Sequence, residues 1–138
     1  MKSNEQALDL LRVHEGYRQF PYADSLGIQT IGYGRNLESR GISEPEAATL
    51  LANDITEAES LLKKYSYYEA LSDERKAVLI DMMVNLGATR LAAFKRMHAA
   101  LRDGDYKQAC VEMLDSKWAD QVGQRALTLA DVMYNNKI

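Results

Sequence analysis

Twenty-one residues from Tyr17 to Leu37 break an otherwise helical pattern, and this interruption constrains the fold more than any other feature of the chain. The segment is punctuated by Pro21, Asp24-Ser25, Gly27, Gly32 and Gly34, with short runs rich in Tyr, Phe, Ile and Thr between them. Those side chains favour strands, and the punctuation favours tight turns. The spacing predicts a small β-hairpin or three-stranded sheet that turns near Asp24 to Gly27.

Helical signals flank it on both sides. Ser3 with Gln6 three residues on reads as a capping-box start. The helix it opens carries Ala7, Leu8 and Leu11, with Leu10 beside them, and should stop near Gly16. Ser43-Glu44-Pro45-Glu46 combines an N-cap, a first-turn proline and a capping-box glutamate. Ala47, Leu50, Leu51, Ile55, Ala58, Leu61 and Leu62 follow at helical period, to about Lys64. Ser72 caps a further helix with Val78, Leu79, Met82, Met83 and Leu86 inside and Gly87 as its stop. Shorter helices are expected over 90–102, 105–114, 116–121 and 124–134, separated by Gly104 and Gly123.

The expected class is therefore α+β, mainly α. A single domain, 1–138, would comprise a β-containing N-terminal lobe at 16–42, a long bridging helix at 43–64, and a helical lobe at 65–138. Residues 3–14 are expected to pack on that helical lobe. A cleft between lobes is a common place for a binding site.

Composition narrows the function. A chain of 138 residues can bury enough apolar surface to fold without disulfides or metals. Apolar residues (46%) are dispersed, and no run approaches a membrane span, so stable membrane insertion is not expected. The first twenty residues carry charge throughout, so neither a signal peptide nor an N-terminal anchor is expected, and the protein should accumulate in the cytoplasm of the cell that makes it. The formal charge of −3 comes from interleaved acids and bases with no basic block, which argues against nucleic-acid binding. Cys110 is the only cysteine; at helical spacing from Tyr106, Met113 and Leu114, it reads as a buried, inert thiol. No His/Cys/Asp/Glu spacing suggests a metal site, so no cofactor is expected.

Chemistry concentrates between Glu15 and Arg35, in EGYRQFPYADSLGIQTIGYGR. Glu15 closes a helix, Asp24 sits in a turn nine positions on, and Thr30 lies in the next strand. A hairpin folding back on the helix end can gather all three. Glycoside hydrolysis needs one carboxylic acid to protonate the leaving oxygen and a carboxylate opposite it to activate water or stabilise positive charge. A hydroxyl can hold that water. Each residue also has an ordinary reading: a solvated helix-end Glu, an Asp capping its own turn, a strand Thr. Spacing alone leaves both readings open.

Glu15-Gly16-Tyr17-Arg18, Tyr22-Ala23-Asp24, Gly27 and Thr30-Ile31-Gly32-Tyr33-Gly34 together resemble the signature of the bacteriophage T4-type lysozymes, glycoside hydrolase family 24. Arg75 to Gly87 resembles the family's buried central helix, and Ser116-Lys117-Trp118, Gln121 and Arg125 its C-terminal motif. The resemblance implies a T4-lysozyme-like fold and an inverting muramidase acting on peptidoglycan. It implies Glu15 as general acid, Asp24 as second carboxylate and Thr30 as the residue positioning water. It also implies Asn85, Gly34 and Gln121 as sugar contacts and Arg125 as support for Glu15. The implied setting is phage or prophage host lysis, with a holin giving access to the wall; a monomer is expected.

Two departures stand out. Arg35 follows Gly-Tyr-Gly where the family often has histidine, which removes any ion pair built on that histidine. The net charge of −3 also deprives the chain of long-range attraction to an anionic wall, so lower activity on whole walls at low salt is expected. Two rival readings are a lytic transglycosylase, which needs no water-positioning Asp24 and Thr30, and a wall-binding protein without turnover. Trp118, the Tyr65, Tyr67 and Tyr68 cluster, and Met82, Met83 and Met97 read as core, and His14 as a surface residue at a helix end.

Overall fold

The computed structural model describes residues 2–138. They fall into two compact units, one reaching to Thr49 and one running from Leu50 to Ile138. The class is the expected α+β, mainly helical, with one small antiparallel sheet among the described residues.

The first unit opens with α1 (Lys2–Glu15). Ser3 lies inside this helix and not at its cap. No residue of α1 is buried; Leu8, Leu10 and Leu11 each remain about half exposed. The strands β1 (Arg18–Ala23), β2 (Gln29–Gly32) and β3 (Arg35–Asn36) follow, paired in sequence order. Tyr22 faces Thr30 across β1 and β2, and Ile31 faces Arg35 across β2 and β3. The β1 register shifts between Arg18 and Tyr22, a stretch that holds Pro21. Proline has no N–H for the ladder, so an irregularity is where a strand can accept it. The turn falls at Asp24 to Gly27, as its residues demand, closed by a Gly27 N–H to Asp24 carbonyl bond of 2.9 Å. Helix α2 (Glu44–Leu62) begins here with the expected capping box and continues into the second unit.

The second unit contains the buried core. Helix α3 (Asp73–Leu86) buries Val78, Leu79, Met82, Met83 and Leu86, as its period requires. Ser72 accepts the Arg75 N–H at its start, and Gly87, at φ +84°, returns its N–H to the Met83 carbonyl at its end. Around it lie α4 (Ala88–Ala92), α5 (Lys95–Arg102), α6 (Tyr106–Leu114), α7 (Lys117–Val122) and α8 (Gln124–Asn135). Tyr68, Leu62, Met97, Met113 and Met133 are fully enclosed. Each such side chain contributes about 1.5–3 kcal/mol relative to exposure.

Sequence periodicity predicts one helix over 90–102; the structure has two. They break at Ala93–Phe94, where Phe94 leaves helical geometry (ψ 56°) and turns its ring edge-on to Trp118, 6.1 Å between centroids. No glycine or proline marks this break; what accompanies it is the packing of an aromatic ring. Cys110 is buried as expected, and burial pushes its thiol up to about 11, which keeps it protonated and unreactive.

His98 is the one buried imidazole among the described residues. The Leu91 carbonyl, 2.8 Å from Nε2, can only accept, so Nε2 carries the hydrogen. Nδ1 then accepts from the Tyr67 hydroxyl at 2.7 Å, and Tyr65 stacks on the ring at 4.4 Å. Burial, with the Arg102 charge adding to it, lowers the His98 pKa; the bond to Leu91 only partly opposes this. Such a group adds stability above its unfolded value of about 6.5, and that stability is lost as pH falls toward the lower folded value. Thermal melts should therefore drop as pH falls below about 6.5, by up to about 1.4 kcal/mol per pH unit. His98→Gln should flatten this dependence; an unchanged slope would contradict it.

Candidate active site

The backbone of one residue, Ile28, ties together two of the sequence-chosen residues. The Ile28 carbonyl accepts the Asp24 N–H and the Thr30 hydroxyl, each at 2.9 Å. The Ile28 N–H returns to Asp24 Oδ1 at 2.9 Å, and Leu26 N–H reaches the same oxygen at 2.8 Å. Asp24 thus caps its own turn, the ordinary role of an aspartate there. Both bonds converge on Oδ1, so Oδ2 remains the oxygen able to take a hydrogen from water. Thr30 is buried (4% exposed) and its proton is committed to Ile28, which leaves its oxygen as an acceptor. A water donating one hydrogen to Asp24 and one to Thr30 would present its lone pair outward. Sequence reasoning missed Ile28, since a role carried by backbone atoms leaves no mark on residue type.

Glu15 ends α1, and its carboxyl lies over Gly34 at the tip of the β2–β3 hairpin. A Cβ placed on Gly34 would meet Glu15 Cδ at 2.7 Å, closer than real Cβ contacts come, and Cγ at a tight 3.2 Å. No other glycine has a side-chain atom within 4 Å of that position. Gly34 also has φ +73°, a conformation that suits glycine. Beside this contact, Tyr17 and Tyr33 meet at 5.7 Å between ring centroids, and the Arg12 guanidinium lies 6.0 Å from the Tyr33 ring.

The remaining sequence-chosen residues lie in the second unit, each with a partner there. Asn85 Oδ1 accepts the Trp118 indole N–H at 2.7 Å, and Trp118 itself is buried, as expected. Gln121 accepts from Arg90 at 3.2 Å. The Arg125 guanidinium meets Asp81 Oδ1 through Nε at 3.0 Å and Nη2 at 2.8 Å. Asp81, on α3, had no distinguishing signal in sequence; an acid one helical turn from Asn85 reads as a solvated face.

Residues 12–131 match the family model described as phage lysozyme, a span holding Glu15, Asp24, Thr30 and Gly34. The chain belongs to the phage lysozyme family. It is similar to "Probable T4-type lysozyme 2" of Dictyostelium discoideum, at 25% identity over 86% of this chain and 87% of that protein. "Probable T4-type lysozyme 1" of the same organism is 23% identical over 91% of each chain. The pre-baseplate central spike protein Gp5 of Enterobacteria phage T4 is 26% identical over 89% of this chain, which spans only 26% of that longer protein. Membership makes this phage lysozyme family chain a glycosidase of the lysozyme type, whose substrate is peptidoglycan.

In this lysozyme the absence of a side chain at position 34 is what accommodates the Glu15 carboxyl. Gly34→Ala must displace that carboxyl and also adopt a backbone costing about 1–2 kcal/mol for an L-residue. With Glu15 as the acid, as proposed below, a shift of about 1 Å in its carboxyl costs about a hundredfold. Gly34→Ala should therefore lose about a hundredfold in reducing ends released, with its helical circular dichroism kept. Turnover within about twofold of wild type would contradict the requirement.

Proposed function

We propose that the protein hydrolyses the β-1,4 bond between N-acetylmuramic acid and N-acetylglucosamine with inversion at the anomeric carbon. Glu15 donates its proton to the leaving oxygen. Asp24 and Thr30 hold a water, Asp24 takes its proton, and the water oxygen bonds to the anomeric carbon from the opposite face. The observation that carries this reading is that Asp24 and Thr30 both bond to the Ile28 backbone, Asp24 Oδ1 to its N–H and the Thr30 hydroxyl to its carbonyl, which leaves Asp24 Oδ2 and the Thr30 oxygen as acceptors. Gly34, Asn85 and Gln121 are proposed sugar contacts. With its Oδ1 held by Trp118, Asn85 has an amide NH2 left to donate.

The biological setting we propose is host lysis by a phage or prophage, from a cytoplasmic pool that reaches the wall through a holin, the enzyme acting as a monomer. The similarity to a central spike protein favours a second setting, a lysozyme domain carried by a tail structure. The chemistry is the same in both.

Purified peptidoglycan in suspension tests the reading. Wild type should clear it and release new reducing ends, and Glu15→Gln should lose at least about a hundredfold of both. Clearing with anhydro ends that do not reduce would instead indicate a transglycosylase. Binding without clearing would indicate a wall-binding protein, and equal clearing by Glu15→Gln would remove Glu15 from the role of acid.

A further inference from the structure

Arg35, the residue after Gly34, is tied to the start of α2. Its Nη1 donates to Glu46 Oε1 at 3.0 Å, its Nη2 pairs with Glu46 Oε2, and Nη1 also reaches the Gly41 carbonyl at 3.3 Å. Glu46 in turn accepts the Ser43 N–H at 2.8 Å, and Ser43 Oγ accepts the Glu46 N–H at 3.3 Å. The capping box of α2 and the hairpin beneath Glu15 therefore share one carboxylate. Contacts run without a gap from the Glu15 carboxyl to Gly34, Arg35, Glu46 and the first turn of α2.

We propose that Arg35 is a positioning residue for Glu15, its two-pronged pair with Glu46 and its bond to Gly41 fixing the Gly34 backbone on which the Glu15 carboxyl lies. This rests on the reading of Glu15 as the acid. The pair is partly exposed, 28% and 40% at the two side chains, and a pair in that setting adds little to stability. Its value is geometric. A guanidinium engages both carboxylate oxygens in one plane and a carbonyl as well, which an ammonium cannot reproduce. Strand β3 is only two residues long, so its own ladder is a weak constraint on the hairpin tip. The clamp also persists in acid: the Ser43 N–H first, and then Arg35, pull the Glu46 carboxyl down to about 2. The ionised pair is complete above the ordinary carboxylate range and is lost only as pH falls through about 2.

The test compares Arg35→Gln, Arg35→Lys, Glu46→Gln and the double variant Arg35→Gln/Glu46→Gln on soluble peptidoglycan fragments. Wild type and Glu15→Gln run alongside, and the folded fraction is measured at the assay temperature. Arg35→Gln and Glu46→Gln should each lower kcat about tenfold, with KM within about twofold. The double variant should be no worse than the poorer single, because both remove one clamp. Arg35→Lys should recover only a minor part of the loss. The proposal is overturned if the singles keep kcat within about twofold, if the loss only tracks the unfolded fraction, or if the single losses multiply in the double. Those outcomes leave the Glu15 reading intact so long as wild type turns over and Glu15→Gln does not. An inactive wild type, or an active Glu15→Gln, overturns both.

Discussion

The Glu15 carboxyl occupies the space that a side chain at position 34 would need, and the chemistry proposed for the first unit depends on that contact. It joins a helix end to a hairpin tip that are neighbours neither in sequence nor in a hydrogen-bonded ladder. A glycine there lets an acid lie directly against backbone, and the positive φ at Gly34 keeps the strand turning back toward Asn36. Tyr17 and Tyr33, the chain neighbours of this helix end and hairpin tip, meet each other in an aromatic pair. A helix-end glutamate that is otherwise solvent-exposed thereby acquires a defined place.

A similar economy governs Asp24 and Thr30. Both satisfy ordinary structural needs, an aspartate closing its turn and a buried threonine donating to a nearby carbonyl. Those bonds also decide what the side chains have left to offer. Asp24 keeps an oxygen, and Thr30, its hydrogen given to Ile28, keeps acceptor lone pairs. The second unit obeys the same rule with larger parts. Trp118 orients Asn85 from within the core, and Arg75 stacks on Tyr106 at 3.6 Å while capping α8 through the Met133 and Tyr134 carbonyls. Polar groups near that core are held by named partners, and no buried side-chain nitrogen or oxygen among the described residues lacks one.

Much of this was legible in the residues. The caps at Ser43 and Ser72, the stop at Gly87 and the turn at Asp24 to Gly27 are local signals, and the elements form where those signals fall. The burial of Trp118, Tyr68 and Cys110 followed from period and residue type. What escaped depends on distance along the chain or on backbone atoms. The break at Ala93–Phe94 carries no breaker residue, and the ring Phe94 meets there, Trp118, lies more than twenty positions away. The Arg35–Glu46 pair spans eleven positions, and its glutamate already had a sufficient role as a helix cap. Ile28 contributes its peptide and not its side chain. Arg35, at the position after Gly-Tyr-Gly, supplies an interaction that only coordinates could disclose.

The proposed mechanism has water, and not the Asp24 carboxylate, as the attacking group. The configuration of the first-formed product reports this most directly. Proton NMR of freshly cleaved soluble fragments should show the new reducing end appearing first as the α-anomer, then mutarotating, because one displacement inverts a β bond. A β-anomer appearing first would mean two successive displacements, through an enzyme carboxylate or the substrate's own acetamido group, and would contradict a single attack by water held by Asp24 and Thr30.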